Sequence, residues 1–340
     1  MRDYELEVLE QYDIEVKGTR KIRGAFFCDT KEGTMLLKEA DVSDRRAPLL
    51  YLVLKNLEDD GYPNVDTPIR NREGNLTSVS KDGTRYMLKK WFSGRECDVK
   101  REFEILQASR NLAQLHQKMQ WHEICGKRDN FEEEIVIRPP TGRHLRDEFL
   151  RHNRELKKVR TFIRNKVSKG AFEFLFLEYF ENMYTLAEQV TKRLEASQYD
   201  SLYQESIENQ RMIHGDYNYH NVLFTQGGIA STNFEHFRVD VQVQDLYYFL
   251  RKVMEKHQWE ENLGLSMLDA YQGVRPLDSR ELEYIALCLA YPEKFWKTAN
   301  TYYHSNKAWI PEKNVEKLQT AITQTEEKLR FLENIFTFNL

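Results

Sequence analysis

The chain has 340 residues, 41% of them hydrophobic and 31% charged, with a formal net charge of −4. That length and balance suit two lobes with separate cores and exclude a disordered chain, and so small a net charge supplies no field to draw the whole protein to nucleic acid or a membrane surface. Cys28, Cys97, Cys125 and Cys288 lie far apart without metal-ligand spacing, as in a protein whose thiols stay reduced in the cytosol.

The start, Met1-Arg2-Asp3-Tyr4-Glu5, has no apolar stretch of the secretory kind. The nearest thing to an apolar span, Phe174-Leu175-Phe176-Leu177, ends at Glu178, far short of the roughly 20 residues a membrane crossing needs. Synthesis in the cytoplasm, with no membrane partner, is expected.

Ile14 to Phe27 and Thr34 to Lys38 are β-rich runs on either side of Asp29-Thr30-Lys31-Glu32-Gly33, a composition that predicts a hairpin. From Ser43 to Asp60, Leu49, Leu50, Val53, Leu54 and Leu57 recur at helical spacing, with Ser43 or Asp44 to cap the start and Gly61 after the end. Thr77 to Val79 and Thr84 to Phe92 straddle Lys81-Asp82-Gly83 as a second hairpin. Lys100 to Gln120 puts Phe103, Leu106, Leu112 and Leu115 on a helix face. A loop with Gly126 and Pro139-Pro140 then leads to helical segments over 143–167 and 171–206.

Two short strands, Asn221 to Thr225 and Ile229 to Asn233, turn at Gln226-Gly227-Gly228. From Asp245 onward the pattern is again helical, broken at Gly273-Val274-Arg275-Pro276 and Pro311. The stretch Lys313 to Glu333 alternates charge around Val315, Leu318, Ile322 and Leu329 as a capping helix would. This order predicts an α+β protein: a small β-rich lobe over residues 1–93, then a large, mainly helical lobe over 94–340 that carries a loop and hairpin at 214–233.

The chemistry concentrates in that loop, His214-Gly215-Asp216-Tyr217-Asn218-Tyr219-His220-Asn221, which reads as a kinase catalytic loop. Phosphoryl transfer needs positioning and charge neutralisation more than covalent help, so few residues carry it. Asp216 would orient an acceptor hydroxyl, Asn221 would hold a phosphate-bound Mg²⁺, and His214 would brace the loop. Lys38, at the end of Met35-Leu36-Leu37, would contact nucleotide phosphates. A second metal-binding carboxylate is expected twelve residues after Asn221, where Asn233 stands.

An amide there removes one negative charge, worth about 4 kcal/mol at roughly 4 Å and an effective dielectric of about 20. Glu235 could restore the charge, although strand alternation would carry its side chain about 7 Å further along. The turn that should cover the phosphates has only Gly18 and Gly24 among Lys17, Arg20, Lys21 and Arg23, and the Ser43–Asp60 helix has no central glutamate to pair with Lys38, Asp44 being a poor candidate. Asp245 opens a helix, where it would cap the first turn and brace the His214 loop. From Arg138 to Lys169, eleven Lys or Arg face three Asp or Glu, either a solvated helix face or a surface for an acidic partner.

With these residues the chain resembles the aminoglycoside and choline phosphotransferase type of kinase fold, and within it the CotS-type spore coat proteins. The resemblance runs through Lys38, Leu112-Ala113-Gln114-Leu115-His116, His214-Gly215-Asp216 to Asn221, Thr232-Asn233-Phe234-Glu235, Asp245-Leu246-Tyr247 and Tyr291-Pro292-Glu293-Lys294-Phe295-Trp296. It implies a bilobal protein kinase-like fold, an ATP and Mg²⁺ site around Lys38, Asn221, Asn233 and Glu235, and a place in the spore coat among other coat proteins. Three functions stay open: a coat component with degenerate or weak transfer activity that works by binding, an active phosphotransferase acting on a small-molecule or protein hydroxyl, and a nucleotide- or small-ligand-binding module without turnover.

Overall fold

The computed structural model describes residues 4–22, 24–121, 139–305 and 312–339. Cys125, Gly126, Arg138 and Pro311 lie outside them, as do Met1 to Asp3. The chain divides into two compact units, residues 1–141 with 207–245 and residues 142–206 with 246–340. The boundary expected after residue 93 falls inside the first unit.

That unit is built on an antiparallel sheet of β1 (Val16–Ile22), β2 (Ala25–Thr30), β3 (Thr34–Glu39), β4 (Ser78–Val79) and β5 (Arg85–Lys90), in the order β1-β2-β3-β5-β4. The single run expected from Ile14 to Phe27 is two strands. The chain reverses at Gly24, whose φ of 84° is open to glycine at little cost, so Ile22 pairs with Ala25. Strand alternation turns Phe26 and Cys28, Leu37, and Tyr86 and Leu88 onto a common core with Val8 and Tyr12.

Helix α1 (Ala47–Asp59) buries the predicted stripe Leu50, Val53, Leu54 and Leu57. Neither Ser43 nor Asp44 caps it: Arg46 holds the cap position without a side-chain bond, while Asp44 pairs with Arg85 and accepts a bond from Thr77. The remainder of this unit comprises β6 (Gly94–Glu96), α2 (Glu102–Lys118), β7 (Met212–Ile213), β8 (Val222–Thr225), β9 (Gly228–Ser231) and β10 (Arg238–Val239). Strand β8 lies between β6 and β9, and β7 pairs with β10.

The second unit is helical: α3 (Leu145–Asn165), α4 (Ala171–Ala196), α5 (Tyr199–Glu208), most of α6 (Val243–Met254), α7 (Glu261–Gln272), α8 (Ser279–Ala290), α9 (Glu293–His304) and α10 (Glu312–Phe336). The helix expected over 171–206 is interrupted at Ser197, whose backbone N–H and hydroxyl both turn back to the Leu194 carbonyl while its Oγ accepts the Tyr199 N–H. Leu156, Val159 and Ile163 of α3 meet Phe172, Phe176 and Phe180 of α4 in one core with Phe295 and Leu318. Each such side chain contributes about 1.5–3 kcal/mol through burial.

Much of the basic run on α3 is answered inside this unit. Arg151 pairs with Glu155, Lys157 with Glu188, Arg160 with Glu181 and Lys166 with Glu173. Arg151 also donates to His152 Nε2 at 3.0 Å, and the imidazole stacks on Trp296 at 3.4 Å between ring centroids. Burial and the adjacent Arg151 guanidinium push the His152 pKa down to about 4.

An unfolded histidine titrates near about 6.5, so between these values the unfolded chain holds more protons than the folded one. The contribution of His152 to stability should therefore be level above about pH 6.5 and fall by about 3 kcal/mol as pH drops towards about 4. Urea unfolding of wild type and His152→Phe, which keeps an aromatic ring, checks this: the variant should lose that slope, and an unchanged slope would refute the assignment to His152.

Candidate functional site

The loop after β7 is held from below by a buried carboxylate. Asp245 does not cap α6, which begins two residues earlier at Val243; its oxygens instead accept the backbone N–H groups of His214 at 2.6 Å and Gly215 at 2.9 Å. His116 Nε2 of α2 lies 3.2 Å from the same carboxylate. Burial opposes the charge on Asp245, but His116 and these N–H groups outweigh it and hold its pKa below the usual range. Gly215 has φ 84°, and a β-carbon there would lie 2.2 Å from the His236 carbonyl oxygen, so only glycine fits the turn.

His214 is buried, and both ring nitrogens serve backbone: Nε2 donates to the Thr232 carbonyl at 3.0 Å and Nδ1 accepts the Asp216 N–H at 3.2 Å. It is thus a positioning residue. The Asp216 carboxylate accepts Asn218 Nδ2 on one oxygen at 3.1 Å and Asn221 Nδ2 on the other at 3.0 Å. Both amides also donate to the Asp216 carbonyl. A carboxylate fixed in this way is chemically able to orient a hydroxyl proton.

The strand expected to run to Asn233 stops at Ser231. Asn233 takes a left-handed conformation with φ 65°, one that asparagine tolerates better than most residues, and a 3₁₀ turn follows over Phe234–His236. The displacement of Glu235 expected from strand alternation therefore does not occur. Glu235 turns back so that Oε1 lies 2.8 Å from Lys38 Nζ. Lys38 Nζ also lies 3.4 Å from Asn233 Oδ1 and 3.3 Å from Asp41 Oδ2, and Asn233 Nδ2 donates to Asn221 Oδ1 at 2.7 Å. Lys38, Asn221, Asn233 and Glu235 are thereby brought together, and the glutamate absent from the middle of α1 has a counterpart after Asn233.

Sequence reading missed two partners. Lys89 of β5 is fully buried, with Nζ 2.6 Å from Glu235 Oε1 and 2.9 Å from Asp66 Oδ2, and Asp66 Oδ2 also accepts the Asn233 N–H at 2.9 Å. Burial works against the Lys89 ammonium, yet the Asp66 and Glu235 carboxylates hold its pKa above the usual value. Burial likewise opposes ionised Glu235, and Lys89 and Lys38 outweigh it and hold its pKa below the usual range. Asp66, with one oxygen unpartnered, is pushed up by burial. A lysine at the tail of an apolar strand carries no sign in the sequence that it points inward.

Lys38, Asn221 and Asn233 line a cleft of about 760 Å³, within the range of small-ligand pockets. Ile22, Leu36, Phe92 and Leu223 supply apolar walls, Arg20 adds a cation, and His220 lies 2.5 Å from Glu96. Gly94, in the same wall, sits where a β-carbon would meet the Phe224 carbonyl oxygen at 2.5 Å.

A divalent cation, which the kinase resemblance implies at Asn221 and Asn233, is poorly served by these donors. Mg²⁺ is held by one or two carboxylates together with phosphate oxygens. Here both candidate ligands are neutral amides, with Asn221 Oδ1 engaged by Asn233 and Asn233 Oδ1 by Lys38. Glu235 is taken up by two lysines, Asp66 does not line the cleft, and Glu96, which does, is engaged by His220. The residues present do not fit the metal.

The family described as spore coat putative kinase YutH matches residues 148–335. The chain belongs to this family. Spore coat protein S of Bacillus subtilis (strain 168) is 22% identical to it over 336 residues, 97% of this chain and 93% of the relative. An aminoglycoside phosphotransferase from Alicyclobacillus acidocaldarius superposes with a TM-score of 0.81 at 17% identity, covering 98% of this chain and 95% of the other. Spectinomycin phosphotransferase, in a complex with ADP and spectinomycin, gives 0.64 at 13% identity, covering 95% and 97%. This spore coat family member thus has the aminoglycoside phosphotransferase, kinase-like fold, as the loop and hairpin predicted. Among the described residues no helix is long and apolar enough to cross a membrane.

Proposed function

We propose that this chain is a kinase-fold component of the spore coat that binds a nucleotide in the cleft of its first unit, transfers phosphoryl groups slowly or not at all, and acts by binding other coat proteins. The observation that carries this reading is the Asn233 amide at the position of a metal-binding carboxylate, locked to Asn221 at 2.7 Å. One missing unit charge at roughly 4 Å from a cation, about 4 kcal/mol, corresponds to about three decades in rate. The cleft walls and Lys38 remain suited to a nucleotide.

A second reading, an active phosphotransferase with a small-molecule or protein acceptor, draws on Asp216, whose two carboxylate oxygens are held by Asn218 and Asn221. Thermal unfolding with ATP and a count of ATP consumed separate the two. At about a hundredfold over Kd a nucleotide should add about 2.7 kcal/mol of stability, with ATP loss no faster than in Asp216→Ala and normal incorporation of that variant into spore coats. ATP consumption or coat incorporation abolished by Asp216→Ala would favour the enzyme. No stabilisation at millimolar ATP would remove the nucleotide from the reading.

A further inference from the structure

Three features of the cleft bear on how polyphosphate charge would be met. The amide pair Asn221–Asn233 supplies no negative charge, and both of its oxygens are already engaged, one by the Asn233 amide and one by Lys38, so it is a poor holder of a cation beside the phosphates. Lys38 Nζ already lies 3.4 Å from Asn233 Oδ1, so that oxygen faces a cation of the chain itself. In the hairpin of β1 and β2, where a glycine-rich cover is lacking, exposed Arg20 lines the same cleft.

We infer that this cleft takes a nucleoside di- or triphosphate without a divalent cation, its phosphate charge met by Lys38 and Arg20. The inference rests on the reading of the cleft as a nucleotide site. Lys38 is prepared for the task by an unequal pair of acids. Glu235, 5% exposed, holds the amine at 2.8 Å, while Asp41, 66% exposed, holds its third contact at 3.3 Å. An exposed pair of that kind contributes little, so a phosphate oxygen displaces Asp41 at small cost. A guanidinium presents a planar fork matched to phosphate, which makes Arg20 a suitable second contact.

Replacing Asn233 by Asp would set a carboxylate oxygen against Asn221 Oδ1 in place of the present amide bond. That repulsion is relieved by a cation between them, so the variant should acquire the metal requirement the wild type lacks.

Calorimetric titration of the intact protein with ADP, in excess EDTA and again in MgCl₂, tests the inference. Wild type should bind with Kd values within about threefold of each other, Arg20→Ala should weaken binding about fivefold or more in EDTA, and Asn233→Asp should bind about tenfold or more tightly with Mg²⁺ than without, by the charge arguments above. Wild-type binding that requires Mg²⁺ would overturn the inference and leave the nucleotide site standing. Binding in neither buffer would overturn the nucleotide reading and the inference together. An unchanged Kd for Arg20→Ala in EDTA would overturn the assignment of phosphate charge to that residue.

Discussion

Lys89→Met destabilises the first unit by about 3–5 kcal/mol, the usual penalty for removing one partner from a buried ion pair, and lowers its Tm by about 10 °C. The methionine fills much of the lysine's volume, so cavity formation is a minor part of the loss. What remains is charge: Glu235 retains Lys38, whereas Asp66 is left fully buried with the Asn233 N–H as its remaining bond.

The pH dependence identifies that cause. In the variant Asp66 has a folded pKa raised above its unfolded value, so the folded state gains stability from the bound proton at low pH and loses it as pH rises through the folded pKa. The gap between wild type and variant should therefore be smaller at pH 5 than at pH 8, and adding Asp66→Asn should recover part of the loss at pH 8. Calorimetric Tm values across that range check it. A gap independent of pH would mean that packing, and not an orphaned carboxylate, is responsible.

Asp245→Ala loosens the His214 loop and costs about 3 kcal/mol. The carboxylate accepts two backbone N–H groups and faces His116, all of them buried or nearly so. Hydrogen bonds to a charged group are worth about 1.5–3 kcal/mol each, and the His214 N–H left behind is buried. Amide hydrogen exchange at His214 and Gly215 should accelerate about a hundredfold, the kinetic equivalent of that energy. Asp245→Asn, which keeps one acceptor oxygen, should show a smaller change. Exchange at wild-type rates in the alanine variant would show that the loop is held by the His214 ring and the Gly215 turn instead.

The positions where sequence reading and structure part company share a cause. Local spacing located the loop from His214 to Asn221 and the stripe on α1, because hydrophobic period and motif spacing are properties of neighbouring residues. It extended β9 to Asn233 because a strand end looks the same whether the next residue is extended or left-handed. That one backbone choice reversed the expectation for Glu235, which a strand would have carried away from Lys38 and a 3₁₀ turn returns to it. The caps assigned to Asp44 and Asp245 failed for a related reason: each carboxylate found a distant partner, while Ser43 lies three residues before the cap position at Arg46. The basic run on α3 likewise has its answering acids on α4 and within α3 itself.

What the sequence carried alone is the kinase-like fold and the family, through a resemblance borne by residues spread along the chain, and an asparagine at 233, twelve residues after Asn221. Only tertiary structure decided which charges meet. Lys89, Asp66, Glu235 and Lys38 come from four separate segments, and their pairing depends on burial, which raises the cost of an unmatched charge until distant partners are forced together.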